Sequence, residues 1–212
     1  MEILDRTDDR TDGRIDRIEA LEALYAAPAP TSLAKESDRV LAPHAAMIAA
    51  SPFCVLATRG PLGLDCSPRG DAPGFARVTD GGRAVLLPDR RGNNRIDSLR
   101  NIVTNGEAGL IFLVPGKGEA LRVAGRGAVI ADEALNTSFA VGGHAPVTVI
   151  ELRVERVFHQ CARAILRSGL WGDAPPRDDL PTAGQMTRAV APDFDAEPYD
   201  AALAERQRAT LY

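Results

Sequence analysis

Beyond Pro52 the apolar pattern changes period, and this change constrains the fold more than any other feature. Before it, apolar residues recur at helical steps. After it, they fall in short extended runs closed by Gly, Pro, Asn and Asp turn signals. The runs are Phe53–Thr58, Asp65–Pro68, Phe75–Val78, Ala84–Leu87, Ala108–Val114, Ala120–Ile130 and Val147–Phe158. Arg59-Gly60-Pro61 turns the first into the second, an Arg69-Gly70-Asp71 bend joins the second to the third, and Asp80-Gly81-Gly82 is a strong hairpin signal. In Ala120–Ile130, Leu121, Val123 and Val129 share a face, while Gly125 and Gly127 mark a bulge or sharp coiling. The pattern predicts six or seven short antiparallel strands in a small barrel. It argues against a doubly wound parallel sheet, and no GxGxxG follows a strand.

Helices flank and interrupt these strands. Residues 1 to 12 are almost all charged or polar and are expected to fray. Ile15, Ile18, Leu21 and Tyr25 predict an amphipathic helix over Gly13–Tyr25, closed by Ala26, Pro28 and Pro30. Thr31 or Ser32 can cap a second helical stretch, which Pro43 breaks or restarts before His44–Ala50. A helix over Asn94–Thr104 interrupts the strands and stops at Asn105-Gly106. Asp132–Phe139 reads as a short helix or loop. Cys161–Leu170 is helical and ends at Trp171-Gly172-Asp173 and Pro175-Pro176, and a last helix runs from about Glu197 to Ala209.

Composition excludes several function classes. Net charge is −4, so any arginine cluster is local and suits one small anion better than nucleic acid. Three widely spaced cysteines and three histidines, with no CxxC pair, argue against a disulfide framework or a metal site. No apolar run reaches the roughly 18 residues of a membrane span, and the polar start lacks a signal core, so the expectation is a cytoplasmic protein.

Two arginine- and glycine-rich segments flank one short strand: Cys66-Ser67-Pro68-Arg69-Gly70-Asp71 and Arg90-Arg91-Gly92-Asn93-Asn94-Arg95. This layout suits a phosphorylated cofactor. The second segment leads into a helix, where free N–H groups and the helix dipole favour an anion and Arg95 can supply a bidentate counter-charge. Read alone, Gly92–Arg95 is also an ordinary turn with an Asn cap, and Ser67–Asp71 a tight surface turn with an internal Arg–Asp pair. In the functional alternative, Ser67 and the backbone line a flat ring, Arg69 meets its polar edge and Asp71 orients Arg69. Arg122 lies opposite Leu121 and Val123, on a solvated face or in a cleft between subunits. Trp171, the only tryptophan, reads as a packing residue or interface anchor. Cys161 reads as a buried, inert thiol, and His144 and His159 as structural histidines. No side chain stands out as a catalytic acid or base.

Phe53–Thr58, Ser67–Phe75, Leu87–Arg95, Leu113–Gly116 and Leu121–Gly125 together resemble the pyridoxamine 5′-phosphate oxidase-related flavoproteins, and more narrowly a bacterial subgroup labelled FMN-dependent enzymes. The similarity spans roughly residues 30 to 172. It implies a split β-barrel homodimer with FMN in clefts between the subunits and a small-molecule substrate. The implied domains are an N-terminal helical region (1–50), a split-barrel flavin-binding domain (51–172) and a C-terminal loop and helix (173–212). Ser67, Pro68, Arg69, Gly70 and Asp71 would run beside the isoalloxazine ring, and Leu87 and Pro88 beside the ribityl chain. Asn93, Asn94 and Arg95 would hold the phosphate, with Arg122, Arg167 and Trp171 as further contacts. Arg95→Ala is then expected to weaken FMN binding far more than Arg90→Ala. The sequence departs from the vitamin B6 oxidases in lacking their Lys near the ring edge and their C-terminal Trp…Arg-Leu segment. The expected function is FMN-dependent oxidation or reduction of a small substrate. The alternatives are flavin binding or sensing without turnover, or binding of haem or a deazaflavin.

Overall fold

A computed structural model describes residues 13–61, 63–175 and 177–212. The expected fraying of residues 1 to 12 and the stop at Pro176 lie outside the described residues. The chain divides into two compact units, 1–35 and 36–212.

Among the described residues of the first unit, Ile18–Glu22 (α1) and Pro30–Leu33 (α2) are helical. The helix expected over Gly13–Tyr25 is therefore shorter. Arg17 at its N-cap makes no side-chain cap, and Ile15, Ile18, Leu21 and Tyr25 all stay exposed. A helix this short, without a packed face, is marginal. Pro30 starts α2, its fixed φ suiting the first turn, so Thr31 and Ser32 lie inside the helix.

The second unit begins with Ala42–Ala50 (α3), which Pro43 enters at its first turn. Seven strands follow: Phe53–Gly60 (β1), Gly63–Gly70 (β2), Arg77–Thr79 (β3), Ala84–Pro88 (β4), Glu107–Leu113 (β5), Ala120–Ile130 (β6) and Val149–Gln160 (β7). They form one antiparallel sheet in the order β2-β1-β5-β6-β7-β4-β3. In β1, Cys54, Leu56 and Thr58 point inward, while Val55 and Ala57 point outward. Cys54 and Leu56 pack with Ile48, Val85, Leu87, Phe112, Leu121, Ile150 and Leu152 into one core. The expected bulge lies at Ala124/Gly125, where Ala124 pairs with Arg156 and Gly125 with Val154, leaving Glu155 as the extra residue on β7.

Asp97–Asn105 (α4) lies between β4 and β5, buries Ser98 and Ile102, and ends at Gly106 in the left-handed region (φ 76°). It starts three residues later than expected, because Asn94 (φ 59°) and Ile96 (φ 51°) adopt left-handed backbone that no helix can contain. Glu133–Ser138 (α5) is capped by Asp132, and Arg163–Ser168 (α6) stops at Gly169. Ala183–Val190 (α7) was not expected. Its signal was a Thr182…Gln185 capping box. Ala196–Ala209 (α8) packs against α7, and Asp200 accepts the Gly184 N–H at 2.7 Å.

Among the described residues no helix is long and apolar enough to cross a membrane, and no three metal-ligating side chains cluster. Cys54 is the buried thiol, not Cys161, which is exposed like Cys66. Burial pushes the Cys54 thiol up to about 12, with the Arg69 charge opposing in part. A maleimide at pH 8 is therefore expected to leave Cys54 unmodified until the protein is unfolded. Labelling of Cys54 in the native protein, read by peptide mass, would contradict this packing.

Candidate functional site

A groove of about 900 Å³ opens between β2, the Pro88–Ser98 segment, the Gly143–Val147 loop and Tyr212. Of the residues expected at a ligand, Ser67, Pro68, Arg69, Gly70, Pro88, Asn93, Asn94 and Arg95 line it together. Both arginine-rich segments thus meet in one wall, although they are separated by β3 and β4.

Arg69 leaves the end of edge strand β2 and lies largely covered in the wall, its side chain 19% exposed. Its guanidinium reaches the Ser67 hydroxyl, donates to the Pro68 carbonyl at 3.0 Å, and stands 3.8 Å from Asp89. Its Nε–H is buried and has no acceptor. Such a donor costs free energy unless something fills the groove beside it. Burial pushes the Asp89 carboxyl above the usual carboxylate range, and Arg69 offsets this only in part.

Asp71 does not orient Arg69, as the sequence led us to expect. Its side chain is 2% exposed and accepts three bonds at 2.7 Å, from the Ala72 N–H, Arg90 Nε and the Tyr212 hydroxyl. Burial alone would push the Asp71 carboxyl up, but the Tyr212, Ala72 and Arg90 bonds together hold it below the usual range. The chain turns here because the Asp71 N–H donates to the Pro52 carbonyl. Arg90 also donates to the Phe139 carbonyl at 2.7 Å. It therefore ties three walls of the groove together and is no neutral control for Arg95.

The Asn93–Ile96 bend replaces the expected helix start. Asn93 Oδ1 accepts the Arg95 N–H at 3.1 Å, and the strained backbone at Asn94 and Ile96 projects this bend into the groove. Arg95 is 75% exposed and pairs with Asp97 at 2.9 Å. The first turn of α4 thus carries a carboxylate and engages the arginine expected to meet an anion there. Arg91 lines the same groove, and among the described residues no acid pairs with it.

The remaining expected contacts lie elsewhere. The Leu87 side chain is in the core, 1% exposed, because alternation in β4 turns it inward. Arg122 sits on the outer sheet face, 4.8 Å over the Phe158 ring, beside a shallow hollow of about 410 Å³ that also includes Val55, Ala57 and Ile111. Arg167 is exposed on α6, and the Trp171 indole N–H donates to the Lys117 carbonyl at 2.7 Å. None of the three lines the groove. Sequence reasoning left Arg91 as either a second phosphate partner or a solvated residue, and it missed Asp89, His144 and Tyr212. His144 is presented by a tight Val141–His144 hairpin whose Gly142 and Gly143 take positive φ (56° and 85°), and the Gly-Gly pair beside a histidine was its readable signal.

A seven-stranded antiparallel sheet with flanking helices and a polar groove at its edge defines the split β-barrel class. The chain belongs to the pyridoxamine 5′-phosphate oxidase family, whose model matches residues 41–161, more than half of the sequence. No curated protein matches it. Among solved structures it is similar to HupZ of Group A Streptococcus, at 17% identity over 57% of this chain and 99% of that one (TM-score 0.48). It is also similar to a candidate pyridoxamine 5′-phosphate oxidase of Lactobacillus delbrueckii, at 19% identity over 57% and 95% (TM-score 0.45). General stress protein 26 of Bacillus anthracis matches at 13% identity over 54% and 88% (TM-score 0.41).

Proposed function

We propose that the groove binds FMN and that the protein is an FMN-dependent oxidoreductase acting on a small substrate. The observation that carries this reading is the buried Arg69 Nε–H without an acceptor, set in a groove large enough for a mononucleotide. Membership of the oxidase family supports it. Hydride or electron transfer is the chemistry that FMN supplies when bound.

The chain's own residues do the rest. Arg69 offers a fixed cation and an unmet donor to the electron-rich edge of a flat ring. Asp89, at 3.8 Å, holds that guanidinium in the wall. Arg91, engaged by no acid among the described residues, meets the phosphate beside the polar tips of Asn93 and Asn94. Arg95 lends charge only by giving up Asp97. The protein would work as a homodimer, with a second copy covering the outward Val55, Ala57, Ile111 and Phe158 and bringing Arg122 to its interface.

Titration of apoprotein with FMN, followed by quenching of flavin fluorescence, tests this. Wild type should bind in the micromolar range or tighter. Arg69→Ala should weaken binding by about tenfold or more, the scale of one hydrogen bond from a charged group. Arg83→Ala, which removes a surface pair with Asp38, should leave binding unchanged. No binding by wild type, or full affinity in Arg69→Ala, would sink the assignment. Anaerobic bleaching by NADH or NADPH, followed by reoxidation with an added acceptor, supports the oxidoreductase. Bound flavin that neither nucleotide bleaches supports binding without turnover.

A further inference from the structure

Tyr212 lies beyond α8, 141 residues from Asp71 in sequence, yet its hydroxyl donates to the Asp71 carboxylate at 2.7 Å. Its ring stands 5.7 Å from the Arg90 guanidinium and forms part of the groove wall. The carboxylate it reaches is almost wholly buried and already holds Arg90, which in turn holds the Phe139 carbonyl at the base of the His144 loop. The residues that carry Tyr212 to this point are held differently. Helix α8 packs against α7 and makes no comparably extensive contact with any strand. Met186 and Val190 on α7 are exposed, as is Leu211 beside Tyr212. A helical hairpin loosely seated on the barrel thus ends in one aromatic residue latched to a rigid, buried acid.

We propose that the segment carrying Tyr212 is a clasp on the groove, latched by the hydroxyl-to-Asp71 bond, and that its opening admits and releases the bound cofactor. The proposal rests on the FMN reading for the identity of the ligand, but not for the clasp itself. Elements that open in this way have few buried contacts and are pinned at one point, and this is the arrangement of α7, α8 and Tyr212. The latch needs the hydroxyl. The ring alone keeps the wall but leaves the Asp71 oxygen without this donor.

Two measurements on the full chain test it. Hydrogen exchange of residues 196–212, with no flavin added, should quicken about tenfold in Tyr212→Phe, the scale of one hydrogen bond to a charged group, while exchange in β5 and β6 stays the same. Stopped-flow binding of FMN should show association and dissociation both faster by a similar factor in Tyr212→Phe, with little change in Kd, because a gate alters passage and not the bound state. Tyr212→Ala should quicken both further. A rise in dissociation alone would make Tyr212 a direct contact and overturn the clasp. Unchanged exchange in the tail would overturn it as well, whether or not FMN binds. Absence of FMN binding by wild type would sink the cofactor reading instead and leave the exchange result to decide the clasp.

Discussion

Gly125→Ala is expected to destabilise the protein by about 4 kcal/mol, at the upper end of single substitutions. A Cβ at this position would lie 1.8 Å from the Arg153 carbonyl oxygen, 2.9 Å from its carbon and 3.0 Å from the Glu155 nitrogen. All three are backbone atoms of β7, so no rotamer change can relieve the clash. The strands would have to part at the bulge, in the middle of the longest ladder of the sheet. Gly60→Ala is the matched comparison. Its Cβ would meet Asn101 Oδ1 at 1.7 Å, but that atom ends a side chain that can swing away. The cost there is roughly the Asn101–Thr58 hydrogen bond, about 1 kcal/mol. Equilibrium denaturation of both variants checks the ordering. Similar losses would mean that the bulge is softer than its geometry implies.

Asp71→Asn should cost about 3 kcal/mol, because it leaves the Arg90 guanidinium largely covered (15% exposed) without its charge partner. For a chain of this length that is a fall of roughly 6 to 12 °C in Tm. The pH dependence gives a second handle. The folded-state acid value of Asp71 lies below its unfolded value. Its stabilisation is therefore present above the ordinary carboxylate range and is lost as pH falls through the lowered folded value. Asp89, raised by burial, works in the opposite sense: its contribution weakens as pH rises through its folded value. Unfolding free energy measured from pH 6 down to pH 2 should fall less steeply in Asp71→Asn than in wild type, and more steeply in Asp89→Asn. Parallel curves for wild type and Asp71→Asn would show that the three bonds to Asp71 do not form in solution.

Local chemistry made much of the barrel readable. Ala120–Ile130 is a strand from its first residue to its last, and Asp80-Gly81-Gly82 makes its turn with Gly81 and Gly82 at positive φ, because alternation and turn chemistry act over a few residues. The start of α4 was not readable. Asn94 resembles a helix cap, but tertiary structure holds Asn94 and Ile96 in left-handed backbone. In the groove, sequence proximity misled the pairing of Arg69. Residues 69 and 71 would share a face in a strand, but β2 ends at Gly70, so Asp71 turns toward Arg90 and Arg69 toward Asp89. Tyr212 could not have been found from its neighbours, since the bond that defines it closes over most of the chain.

Pro68 lies in β2, opposite Val55, and β2 has a partner strand on one side only. Proline has no N–H to give, so a ladder built onto the outer rim of β2 would be broken at its centre. Neighbouring molecules are thereby hindered from zipping together along this rim in concentrated solution. The same missing donor that guards against fibril-like stacking keeps the mouth of the groove from being roofed by a foreign strand.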